Sequence, residues 1–220
     1  MAARSHPPDP AAAFVREILG AALARDSDCV REQLDLAVGV LTLGACMDEV
    51  LFPAMRQLGR WWQAGHLDIE DERLATEAAR GWLERLALRA PEPTDAAPVL
   101  LACGPADQHS LGLEALAVLL RNQEQRCRVL GPRVSILTLT TAVRANVPGA
   151  VVIVSHLRSN RLTATQSLRA ASALGVQVFY AGGAFGSPRL RRHVPGTHLD
   201  TSLRSACSAL LGSGEGLLPG

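Results

Sequence analysis

The hexapeptide Asp107-Gln108-His109-Ser110-Leu111-Gly112 carries the residue types from which a metal-ligand loop is made. An imidazole can ligate a metal through one ring nitrogen while a carboxylate two residues earlier accepts a hydrogen bond from the other. That second bond fixes the tautomer and raises ligand basicity. A glycine three residues on lets the backbone approach a bulky ligand. Alone the hexapeptide is unspecific, since a lone loop histidine is most often a surface residue.

Its surroundings add specificity. An apolar run, Val99 to Cys103, precedes it, and a helical one, Leu113 to Leu120, follows. Two further polar or glycine elements stand in the same context. Ser155-His156-Leu157 follows the run Ala150–Val154, and Gly182-Gly183 follows Val176–Ala181. Each element therefore falls at the end of a strand. Strands are expected near 99–103, 127–130, 150–154 and 176–181, with a short fifth near 197–200. Helices are expected near 110–123, 135–145, 161–173 and 201–211. This alternation predicts an α/β unit with a five-stranded parallel sheet covered on both faces. Ligands of such open sheets bind outside the carboxyl ends of the strands.

Asp107-x-His109-x-x-Gly112, then Ser155-x-Leu157, then Gly182-Gly183 resembles the signature of the cobalamin-binding domain shared by methionine synthase, the corrinoid mutases and the cobalamin light sensors. Forty-two residues separate Gly112 from Ser155, and 24 separate Leu157 from Gly182, the latter gap slightly short. The resemblance implies a flavodoxin-like doubly wound sheet over about 99–212. It implies His109 as lower cobalt ligand, oriented by Asp107. Gly112 would make room for the displaced nucleotide tail. Ser155 and Leu157 would line the slot for that tail, and Gly182 and Gly183 would let it pass. A strand-to-helix turn is the commoner use of a Gly-Gly pair taken alone.

Ahead of that unit lies a helical half. Residues 1–10 are Pro-rich and read as a disordered tail. Val15, Ile18, Leu19, Ala22 and Leu23 give the face of an amphipathic helix beginning at Ala11. Ser27 or Asp28 can cap a second helix over about 29–43. A third is expected over 47–64, where Pro53 kinks it or marks its true start, and Gly65 stops it. Asp68 can cap a fourth, with Glu70, Asp71 and Glu72 at its positive end. Short connections read as an antiparallel four-helix bundle over 11–90. Residues 91–98 form a linker by composition, and 213–220 a loose tail.

A chain with 4% aromatics places Trp61 and Trp62 side by side at a helix end. The residue-level reading is that at least one belongs to the bundle core. The stretch Trp62, nine residues, Glu72 also resembles the cap of cobalamin photoreceptors of the CarH and LitR type, whose pattern is Trp, nine residues, Glu-His. The resemblance implies that Trp62 covers the upper face of the cofactor and that Glu72 approaches an adenosyl group. Arg73 stands where the His belongs, and can donate hydrogen bonds but not ligate cobalt. Gln63 stands where the photoproduct's upper ligand is expected, with His66 a nearby substitute. These departures bear on the photoproduct more than on cofactor binding.

Net charge is +1, which argues against a general nucleic-acid binder. The apolar runs are too short to span a bilayer, and charged residues interrupt the stretch behind the first ten residues, unlike a signal peptide. Five scattered cysteines without a Cys-x-x-Cys pair fit reduced thiols in a cytoplasm, three of them as core residues. The photoreceptor repressors begin with a MerR-like DNA-binding domain, which these residues do not show. Regulation is therefore expected through a protein partner, as in AerR-type antirepressors, or through a homo-oligomer, without direct DNA contact. The basic cluster Arg189–His193 reads as a solvated face that can also meet a phosphate or a partner. His6, His193 and His198 read as surface residues.

The expected function is a cobalamin-binding sensor, responding to light through adenosylcobalamin, with methylcobalamin and hydroxocobalamin as other forms. The alternative is a corrinoid methyl-carrier subunit of a methyltransferase system. A third is binding without switching. A self-contained catalyst is not expected, because Ser155 and His156 are neighbours on an extended strand and point to opposite faces.

Overall fold

The computed structural model describes residues 9–212. The chain divides into two compact units, one up to Arg85 and one from Leu86.

The first unit is helical. Helix α1, Pro10–Leu23, starts on proline at its first position, where the missing N–H costs nothing, and Asp9 caps it by accepting from the Ala11 N–H at 3.0 Å. Helix α2, Ser27–Val40, is capped by Asp26, which accepts from the Cys29 N–H at 2.9 Å; Ser27 and Asp28 lie inside the first turn instead. The next helix is not the single segment expected. Thr42 caps a short α3, Leu43–Ala45, which runs into a π turn over Cys46–Leu51 and then α4, Phe52–Gln63. The proline lies in the first turn of α4. Its ring and absent N–H are incompatible with a helix interior, and the wide turn just before it resets the hydrogen-bond ladder. Gly65, at φ +73°, turns the chain so that the His66 N–H returns to the Trp61 carbonyl at 2.8 Å. Helix α5, Ile69–Ala87, follows Asp68 and carries Glu70, Asp71 and Glu72 in its first turn.

Ile18, Leu34, Met47, Leu51, Leu83 and Trp82 are all buried in this unit. The Trp82 indole N–H donates to Asp35 at 2.7 Å, and the Arg85 guanidinium holds the other oxygen of that carboxylate at 2.8 Å.

The second unit alternates β1 (Val99–Cys103), α6 (Leu111–Asn122), β2 (Cys127–Gly131), α7 (Ile136–Asn146), β3 (Ala150–Val154), α8 (Arg161–Ser172), β4 (Gln177–Ala181), β5 (Thr197–His198) and α9 (Leu203–Gly212). The strands pair in the order β2-β1-β3-β4-β5, all parallel. β1 and β3 are buried along their whole length, and for that reason are continuous apolar runs rather than alternating ones. Val99 pairs with Ala150 and Cys103 with Val154, so both strands end at the same level. The strand order reverses between them. The loops that leave their carboxyl ends, 104–110 and 155–160, thus diverge over the topological switch point.

Among the described residues no helix is long and apolar enough to cross a membrane. Cys46, Cys103 and Cys207 are buried, and burial pushes the thiols of Cys46 and Cys103 up to about 12. His198 is half-buried rather than a surface residue, because β5 pairs with β4 and sets its ring against Tyr180, centroids 5.4 Å apart. His193 is exposed. His6 and the expected tails, 1–8 and 213–220, lie outside the described residues.

Candidate functional site

The β1–α6 loop is tied down before it presents any side chain. The Gly104 N–H donates to the Val154 carbonyl at 2.9 Å, the Asp107 N–H to Gly104 at 3.0 Å, and the Arg133 N–H to the Asp107 carbonyl at 2.9 Å. Asp107 is 1% exposed. Its Oδ1 accepts from the His109 backbone N–H at 2.9 Å and faces His109 Nδ1 at 2.8 Å. Its Oδ2 accepts from the backbone N–H of His156, the residue after Ser155 at the end of β3. Burial alone would push this carboxyl up. The hydrogen bonds from the His109 and His156 side chains and backbone outweigh it and hold the group well below the usual carboxylate range.

An ionised acceptor at 2.8 Å assigns the proton of neutral His109 to Nδ1 and leaves the lone pair on Nε2. The imidazole itself is 59% exposed. A buried carboxylate thus orients an accessible ring, the arrangement that a metal-ligating histidine requires.

Ser155 is buried beneath this loop, and its Oγ has no hydrogen-bond partner among the described residues. Its backbone is engaged on both sides. The Ser155 N–H donates to Ala181 at 3.0 Å and its carbonyl accepts from the Ala184 N–H at 3.0 Å. Gly182 has φ +101°, and a Cβ there would lie 2.2 Å from the Ser155 carbonyl oxygen; at Gly183 a Cβ would lie 2.7 Å from that of His156. Both glycines are therefore required by two crossing backbones, before any ligand is considered. Gly112 differs, since a Cβ at that position meets no atom within 4 Å. The Leu157 side chain is about half exposed.

One neighbour was not singled out by its sequence. The His156 ring does not point away from the loop. Its Nδ1 lies 3.5 Å from Asp107 Oδ1, and its ring centroid is 5.1 Å from that of His109. Ser155 is buried and His156 exposed, both just past the end of β3 at Val154. Only the order of strands, which seats β3 beside β1, carries the signal that His156 meets Asp107.

In the helical unit, Trp61 packs against the core cluster of Ala22, Leu58, Leu67 and Ala75, whereas Trp62 is 44% exposed. Gln63, His66 and Arg73 are exposed, and Glu72 accepts from Thr76 Oγ1 at 3.0 Å. Arg191 of the basic cluster is engaged, its Nε donating to the Phe185 carbonyl at 3.0 Å.

Residues 15–87, from within α1 to the end of α5, match the family described as the B12 binding domain. That match covers the helical unit, and the five-stranded parallel sheet that follows it lies outside the matched residues. The chain is similar to the HTH-type transcriptional repressor CarH of Myxococcus xanthus, 32% identical over 170 residues, or 76% of this chain. The chain spans 56% of that repressor's length. In fold it is similar to the monomethylamine corrinoid protein of Methanosarcina barkeri, with a TM-score of 0.73 over 91% of this chain and 99% of that one, at 13% identity.

Proposed function

We propose that the chain is a cobalamin-binding regulator in which His109 is the lower cobalt ligand. The observation that carries this is the Asp107–His109 pair, a buried, ionised carboxylate holding an exposed imidazole by Nδ1. The remaining residues fit a corrinoid. The enclosed Ser155 hydroxyl lacks a partner that a buried polar group ordinarily has, and so favours a ligand that offers one. Gly112 opens onto space and Leu157 offers an apolar wall. Gly182 and Gly183 keep the neighbouring turn thin. When bound, the corrinoid supplies a cobalt–carbon bond that light can break. Trp62 and Glu72 are the helical-unit residues assigned to the upper ligand, with Arg73 beside Glu72 as a hydrogen-bond donor. Adenosylcobalamin is the form that a large indole and a carboxylate suit best.

The signal is read as a two-state change. An upper ligand shifts an equilibrium only by its differential contacts with the two states, and the output is a changed affinity for a protein partner or a second copy. The similarity to CarH supports regulation. The fold shared with the monomethylamine corrinoid protein favours a second reading, a corrinoid carrier that hands on a methyl group. One experiment separates them. The purified protein is mixed with adenosylcobalamin in the dark, and its absorption spectrum is recorded before and after green light, with His109→Ala in parallel. The sensor reading expects a retained, imidazole-ligated corrinoid whose spectrum shifts under light. In a parallel mixture with methylcobalamin, followed by gel filtration before and after light, retention with no light-dependent change in assembly supports the carrier. Failure to retain any corrinoid overturns both.

A further inference from the structure

Asp107 serves two imidazoles, only one of which would ligate cobalt. His109 Nδ1 lies 2.8 Å and His156 Nδ1 3.5 Å from the same carboxylate oxygen. One ligand atom from each of the three side chains can be chosen so that all lie within 4.8 Å of one another. A cation with bonds of 2.0–2.2 Å to N and O ligands separates tetrahedral neighbours by roughly 3.3 Å. The two nitrogen–oxygen separations bracket that value. The remaining pair to close is the two imidazoles, whose side chains are 59% and 39% exposed.

We propose that Asp107, His109 and His156 form a site for a bare first-row divalent cation of the zinc type, taken up when corrinoid is absent. Borderline nitrogen and carboxylate ligands suit such an ion, and three protein ligands leave a fourth position for water. Oδ1 faces the cation while still accepting from the His109 backbone N–H, and Oδ2 keeps the His156 backbone N–H, the support that orients a ligating carboxylate. Binding through Nδ1 moves the proton of His109 to Nε2, with no net proton released. That exchange has a consequence which rests on the corrinoid reading. A cation on Nδ1 takes Asp107 from its orienting role and shifts the proton to the nitrogen that cobalt needs, so cation and corrinoid compete.

The test uses the full-length, corrinoid-free protein titrated with cobalt(II) chloride, whose absorption reports ligand type, with zinc chloride as competitor. The expected result is saturable uptake of one equivalent, displaced by zinc. The spectrum should be that of a four-coordinate nitrogen and oxygen site without thiolate charge transfer. His156→Gln and His109→Gln should each weaken it by roughly tenfold or more, since even partners outside the ligand set cost that much. Circular dichroism checks that both variants fold. No uptake, a thiolate band from the free cysteines, or affinity unchanged in both variants overturns the proposal. The two readings fail separately. His156→Gln should keep the imidazole-ligated corrinoid spectrum while losing the cation, and His109→Gln should lose both. A protein that binds corrinoid but no cation refutes only the cation site, and one that binds the cation but no corrinoid refutes only the regulator.

Discussion

Asp107→Asn isolates the carboxylate with almost no change of shape. The native group accepts two hydrogen bonds and faces a ring nitrogen, with Oδ1 toward the His109 loop and Oδ2 toward the His156 N–H. An amide has one oxygen and one NH2. If its oxygen faces His109, its NH2 meets the His156 N–H, donor against donor. If it is turned over, its NH2 meets the His109 backbone N–H, and His109 must accept at Nδ1 and carry its proton on Nε2. Either orientation loses one charge-assisted bond in a buried place, worth about 2 kcal/mol, or roughly thirtyfold in the unfolding equilibrium of the α/β unit. The turned orientation also removes the lone pair from the nitrogen assigned to cobalt. The sign of the pH effect follows from the depressed carboxyl. A group held below its unfolded value contributes stability above about pH 4, and this is lost as pH falls from there toward the folded value. The uncharged variant has no such contribution to lose. Urea unfolding followed by circular dichroism should therefore show a clear gap at pH 7 that narrows below about pH 4. Equal stability at pH 7, or a gap that widens in acid, refutes the reasoning.

Other substitutions separate packing from binding. Ser155→Ala removes a hydroxyl that has no partner, so the corrinoid-free protein should be no less stable by about 0.5 kcal/mol, while corrinoid retention after gel filtration should fall. Gly182→Ala forces a side chain into a glycine-only conformation and against the Ser155 carbonyl. It should cost about 3 kcal/mol or more in thermal or urea unfolding. Gly112→Ala meets open space, so it should fold normally yet bind corrinoid less well, as read by the bound absorption spectrum. Asp35→Ala strands the buried Trp82 N–H and frees Arg85, and should lower helical-unit stability by about 1–3 kcal/mol, visible as an earlier unfolding midpoint.

The sheet was legible because its central strands are bare apolar runs ended by polar or glycine turns, and β1 and β3 fall at their expected residues. The Asp107–His109 bond was legible for a different reason: it joins residues two apart, and needs only a loop. His156 was not, since its meeting with Asp107 spans 49 positions and depends on which strands are neighbours. His198 was misplaced likewise, because pairing of the short β5 with β4 decides its burial. In the helical half, Asp26-Ser27-Asp28 offers three adequate caps and nothing local selects the first. The π turn at Cys46–Leu51 has no pattern of its own, and only Pro53 marks it. The adjacent tryptophans could not be told apart until α4 set Trp61 into the cluster around Leu58 and left Trp62 outside.

All three tryptophans, Trp61, Trp62 and Trp82, belong to the helical unit, and the chain's one tyrosine, Tyr180, belongs to β4. Emission from indole in the corrinoid-free protein therefore arises wholly from the unit up to Arg85, and none of it from the unit that carries Asp107 and His109. Acrylamide should quench Trp62 first and Trp82 last, resolving an outer and an inner population within a single unit. A melt followed by indole emission follows the unit that holds the tryptophans, whereas far-ultraviolet dichroism sums the helices of both units and the sheet. The two curves coincide only if both units unfold in one step. Any gap between them measures directly how far the halves stand or fall independently.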